Sequence, residues 1–208
     1  MMKRPWSYLG AVVLLMAAGT IPLLISGAGT SAAQQTRTKA GMSGPRLVAA
    51  RYDEKNQLMR PQNHREWIFV GAPVTPNDMN DGHAAFPEFH NVYIDPLSYA
   101  NYKQTGKFAD GTVILKELVA VGGKVMDSGN GYFQGDFNGL EAMVKDRKRF
   151  PEEPGGWAFF RFGEAPHYKP VGDRMQTESC NSCHAGANED FVFTETYPVL
   201  RAAKAKLR

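Results

Sequence analysis

Asp110-Gly111-Thr112-Val113-Ile114-Leu115-Lys116-Glu117-Leu118-Val119 is a turn followed by the strongest strand signal in the chain. Ala109-Asp110-Gly111 has turn chemistry, and the β-branched and aliphatic run after it is short and bounded by glycine. Alternation places Thr112, Ile114, Lys116 and Leu118 on one face of that strand. Working outward, Glu66–Gly71, His90–Asp95 and Gly156–Phe162 read as further strands, with glycine and proline recurring between them. Asp95 and Pro96 make a cap and a first helical position, which predicts a short helix over residues 95–103. Gly139–Lys148 and Val199–Leu207 are expected to be helical. No internal repeat is visible. The expected fold is α+β, a mainly antiparallel β-sheet with a few helices packed on it.

The ends of the 208-residue chain carry different information. Lys3 and Arg4 precede an apolar stretch centred on residues 11–18, and Ser31-Ala32-Ala33 supplies small residues. This is the pattern of a secretory signal peptide over residues 1–33, cleaved after Ala33. A retained anchor is the alternative, but Gly19, Thr20 and Pro22 interrupt a stretch that would need about 20 mostly apolar residues to span. No stable membrane insertion is expected after cleavage. Residues 34–50 read as a flexible linker and 51–208 as one domain. The formal net charge is +3, and two of the cations lie in the signal. Such a balance gives no support to nucleic acid as a partner.

Both cysteines fall in Cys180-Asn181-Ser182-Cys183-His184. C-x-x-C-H is the spacing of a c-type haem attachment site, with a thioether from each thiol and the adjacent histidine beneath the iron. A redox dithiol or half of a zinc site are the competing readings. Zinc would need further thiolates or well-spaced histidines, and no other cysteine exists. His184 is therefore the expected iron ligand, and Cys180 and Cys183 the expected covalent anchors of one haem. No methionine follows Cys183. Met42, Met59, Met79, Met126, Met143 and Met175 read as packing residues, and His64, His83, His90 and His167 as solvated or hydrogen-bonded. An open or water-bound sixth position follows from that reading. Lys116 reads from periodicity as a lysine whose stem covers apolar surface while its amine reaches water.

These residues resemble the cytochrome P-460 family. The resemblance runs through 64–67, 74–82, 92–96, 108–119, 128–133, 139–142, the pentapeptide and 197–204. The D-G-T-V-x-x-K-E-L-V strand together with the C-terminal C-x-x-C-H makes it specific. The resemblance implies a periplasmic homodimer with one haem c, His184 as proximal ligand and an exchangeable distal position. It also implies that Lys116 is joined through its amine to a haem meso carbon. Relatives with that cofactor oxidise hydroxylamine, to nitrous oxide or nitric oxide, and pass electrons to a redox partner such as a cytochrome c. A distal carboxylate assists proton transfer in them, and Asp173 and Glu178 are the candidates here. Without the cross-link, the resemblance implies a nitric oxide-binding protein similar to cytochrome c′-beta, in which Phe86 and Phe89 are candidates for an apolar cap. A plain electron-transfer cytochrome c is the third reading.

Overall fold

A computed structural model describes residues 50–207. The signal-peptide expectation and nearly all of the linker lie outside these residues. Seven strands form one sheet, β1 Leu58–Met59, β2 Ile68–Gly71, β3 Phe89–Ile94, β4 Val113–Met126, β5 Gly129–Lys145, β6 Trp157–Glu164 and β7 Val171–Arg174, in the order β1-β7-β6-β5-β4-β3-β2. Every pairing is antiparallel, so strands 2 to 7 form a meander and β1 closes its far edge. Three helices complete the fold, α1 Pro96–Thr105, α2 Thr177–His184 and α3 Pro198–Ala205. This is the α+β, mainly antiparallel architecture expected. No described helix is long and apolar enough to cross a membrane.

The sheet is buried on both sides. One face packs Val70, Val92, Ile94, Ile114 and Met143 against Tyr102 of α1 and Leu200 and Ala203 of α3. The other packs Val113, Leu115, Leu140, Ala142 and Val144 against Leu58, Trp67 and Phe150. Double burial explains why β4 and β5 read as continuous apolar runs rather than clean alternation. Asp95 ties α1 to the sheet. Its carboxylate accepts from the N–H groups of Leu97 and Ser98 at 3.0 Å and from that of Val113 at 3.1 Å. One buried side chain thus caps the helix and anchors the start of β4. Gly106, left-handed at φ 66°, ends the helix.

The expected helix over Gly139–Lys148 is instead the second half of β5. Leu140-Glu141-Ala142-Met143-Val144 contains good helix formers, but its residues pair one by one with Val113–Glu117 and bury alternately into the two cores. Tertiary pairing overrides local propensity here. β4 also runs seven residues past its predicted end at Val119, to Met126. Beyond the core it forms a two-stranded arm with β5, its register broken by repeated irregularities. Gly122 and Gly135 face each other across the arm. A Cβ on either would sit 2.7–2.8 Å from the other's Cα, so only glycine allows that approach. The strand at Glu66–Gly71 starts two residues late, because His64–Glu66 is a turn of 3₁₀ helix.

Candidate functional site

α2 carries the pentapeptide, and helical spacing puts Cys180, Cys183 and His184 at i, i+3 and i+4 on one face. That face meets the sheet across a concavity holding about 870 Å³ of atom-free space, its mouth included. Ile114 and Lys116 of β4, Glu141 and Met143 of β5, Phe159 of β6 and His90 and Val92 of β3 form its floor. Met175, Phe193, Tyr197 and Phe86 complete the wall.

His184 is held by its neighbours in a defined way. Its Nδ1 lies 2.8 Å from the Phe191 carbonyl oxygen, so Nδ1–H donates and Nε2 is left with its lone pair. The rings of Phe159 and Phe193 pack on it at 4.8 and 5.2 Å. Burial, aided by the Lys116 cation, pushes its pKa down against the backbone hydrogen bond, and the ring stays neutral. Phe191 has φ 64°, and the loop bearing its carbonyl is pinned by Asp190, whose carboxylate pairs with Lys145 Nζ at 2.5 Å. This arrangement of a neutral imidazole oriented by a carbonyl is what a metal-ligating histidine requires. Cys180 is buried with its thiol pKa raised by that burial, its Sγ 3.9 Å from Met175 Sδ, while Cys183 is exposed.

Across the pocket stands Lys116, partly buried. Its Nζ pairs with Glu141 Oε2 at 2.8 Å, the two side chains being 23% and 13% exposed. Lys116 and Glu141 are direct cross-strand partners. The amine also lies 4.4 Å from the centre of the Phe86 ring. The partly exposed Lys116 amine is thus paired with a carboxylate beside an aromatic ring.

The structure thus gathers Cys180, Cys183, His184 and Lys116 around one pocket, and leaves the other two sequence candidates outside it. Asp173 is 56% exposed and pairs with Lys169 on the surface. Glu178 is exposed at the first turn of α2. Neither lines the pocket, whose carboxylate is Glu141. Glu141 was missed because its segment reads as a helix, which hides the register that sets it opposite Lys116. Of the two cap candidates, Phe86 lines the pocket and Phe89 is buried in the fold without lining it. His90, read from sequence as solvated or hydrogen-bonded, lines it with a buried Nε2 that has no partner.

The residues fit a covalently held haem. Two thiols and an imidazole with a free Nε2 share one helix face, and the wall opposite them is largely aliphatic and aromatic. A family model described as Cytochrome P460 matches residues 61–194, well over half of the chain. No curated protein matches it. The chain belongs to the cytochrome P460 family and is a haem protein of that family.

Proposed function

We propose that this chain is a periplasmic c-type haem enzyme that oxidises hydroxylamine to nitrous oxide or nitric oxide, with the haem cross-linked to Lys116. The observation that carries this reading is that Lys116 lines the same pocket as the C-x-x-C-H helix, its amine paired with Glu141. Cys180 and Cys183 would hold the haem through thioethers, and His184 through Nε2. Bound there, haem supplies a redox-active iron with an exchangeable position, able to take electrons from a small nitrogen ligand.

The chain's own part is to bind, orient and manage protons. The Phe191 carbonyl fixes the His184 ring, and the Lys145–Asp190 pair fixes that carbonyl. Phe86, Phe159 and Phe193 keep bulk water from the wall. Glu141 is the group placed to accept protons lost by the substrate, at Oε2. It can do so once Lys116 no longer holds it, because a lysine nitrogen committed to a haem carbon is no longer a free ammonium. Electrons leave to a redox partner such as a cytochrome c, and the molecule works as a homodimer.

The test is the mass of the haem peptide from the exported protein. A porphyrin joined to a peptide containing Lys116, as well as to Cys180 and Cys183, is expected. In Lys116→Leu the haem should remain, while the red-shifted ferrous Soret band and hydroxylamine oxidation should both disappear. A tryptic peptide with unmodified Lys116 would sink the enzyme reading. The Lys116–Glu141 ion pair favours one alternative in that event. With the amine retained as a paired ammonium over the Phe86 ring, the aromatic pocket suits nitric oxide, as in cytochrome c′-beta.

A further inference from the structure

Several of the polar atoms lining the pocket have partners, and one fully buried nitrogen does not. Lys116 Nζ and Glu141 Oε2 satisfy each other. His184 Nδ1 is committed to the Phe191 carbonyl, and Ser179 Oγ donates to the Gln176 carbonyl at 2.7 Å. His90 Nε2 is left over, buried and without a hydrogen-bond partner. Strand register fixes where it stands. Val92 pairs with Lys116 and His90 with Leu118, so His90 and Lys116 are diagonal neighbours on one face of the sheet. Phe86 packs edge-on against the imidazole at 5.7 Å between ring centres and also lies under the Lys116 amine. Three adjacent strands therefore present Glu141, Lys116 and His90 side by side on an otherwise apolar floor.

The charged groups that bear on His90 are Lys116 and Glu141. Burial, then the Lys116 cation, bring its pKa down to about 4, and Glu141 opposes them only in part. The ring is thus a neutral imidazole, with one nitrogen to donate and one to accept. A buried nitrogen left unpaired is unfavourable, and folds keep such groups where something else completes them. We infer that His90 captures and orients the small polar ligand of this pocket through a hydrogen bond at Nε2. Hydroxylamine, with N–H and O–H donors and lone pairs on both heavy atoms, suits one hydrogen-bonding nitrogen in an apolar wall. A weakly polar diatomic gas gains little from it. This inference deepens the proposed function and rests on its haem-loaded pocket.

The experiment compares haem-loaded wild type with His90→Phe and His90→Gln, using cyanide as polar probe and carbon monoxide as weakly polar probe. Cyanide should bind about five- to tenfold more weakly to His90→Phe, the size expected for one net hydrogen bond. Carbon monoxide affinity should change by less than about twofold, and His90→Gln should recover part of the cyanide affinity, since the same hydrogen bond is at issue. Equal losses for both probes, or no loss for either, would overturn the assignment. So would a low-spin ferric spectrum in unliganded wild type that turns high-spin in His90→Phe, since His90 would then be a second axial ligand. The haem-peptide mass separates this inference from the reading beneath it. Selective cyanide loss with unmodified Lys116 upholds His90 and removes the hydroxylamine enzyme. A protein that takes up no haem removes both.

Discussion

Lys116 and Glu117 are neighbours in β4, both charged, and the strand's alternation sends them to opposite faces of the sheet. Glu117 is 1% exposed, its carboxylate taking 2.7 and 3.2 Å hydrogen bonds from Arg65, with His64 Nε2 3.5 Å away. The His64 ring nitrogens beside it have no hydrogen-bond partner but do not line the pocket, and the Glu117–Arg65 pair is a clamp between β4 and the 3₁₀ turn that carries Arg65. Lys116 is also paired, but its pair borders an open pocket, a helix bearing two thiols, and a histidine with a free nitrogen. Burial with a partner is common to both residues. What separates a structural charge from a chemical one is whether the pair faces space that something else must fill.

Arg65→Met should break the closed side of this comparison with the largest effect. It strands a buried carboxylate with only a marginal contact to His64, and about 3 kcal/mol of stability should be lost. Urea unfolding would measure this, while the folded fraction keeps its haem and its ligand affinity. The clamp also has a pH signature. Burial alone would raise the Glu117 carboxyl, but His64 and the hydrogen-bonded Arg65 beside it outweigh burial and hold the pKa below the ordinary value. A carboxyl depressed on folding stabilises fully above its unfolded pKa, about 4.3, and loses that contribution as pH falls through the folded value. Glu117→Gln should therefore show a shallower loss of stability below about pH 4.3 than wild type.

The open side is more sensitive to geometry than to charge. Gly155 has φ 63°, and a Cβ there would lie 2.7 Å from the Phe191 ring. Gly155→Ala should cost about 1–2 kcal/mol from backbone strain and displaced packing. It should also loosen the carbonyl that orients His184, read as a broadened axial-ligand spectrum in the haem-loaded protein. A smaller effect comes from His90. Its folded pKa of about 4 lies below the unfolded value of about 6.5. Between those values the unfolded chain binds more protons, so stability falls as pH falls through that window. The difference in urea midpoint between pH 7 and pH 5 should shrink in His90→Phe.

How far these features were legible in the sequence depended on whether they are local. The pentapeptide, the Asp95–Pro96 helix start and the Thr112–Val119 strand are written in adjacent residues, and each is present in the fold. Glu141 and His90 could not be recognised that way. Their meaning comes from register between β3, β4 and β5, and the β5 segment has helix-forming residues that point to the wrong period. The orientation of His184 was equally hidden, because its partner is a backbone carbonyl in a loop held by Lys145. The long β4–β5 arm was missed because its glycines read as turn punctuation rather than as the contact between Gly122 and Gly135.

The smallest effects should come from Asp173→Asn and Glu178→Gln, and their smallness is the point. The Asp173–Lys169 pair is solvent-exposed on both partners, and such pairs contribute about 0–1 kcal/mol. Glu178 sits in the first turn of α2, where a negative charge gains a few tenths of a kcal/mol from the helix dipole. Each substitution should shift stability by less than about 0.5 kcal/mol, with the proposed hydroxylamine oxidation unchanged. Glu141→Gln should reduce that activity while leaving the fold intact, because glutamine keeps a hydrogen-bonding oxygen for Lys116 but cannot hold a proton at neutral pH. Both arms can be read in one assay of turnover against pH. Loss of turnover in Asp173→Asn or Glu178→Gln, with Glu141→Gln active, would move the proton-handling group from the sheet floor to the approach to α2. The contrast between the two faces of β4 would then describe folding alone.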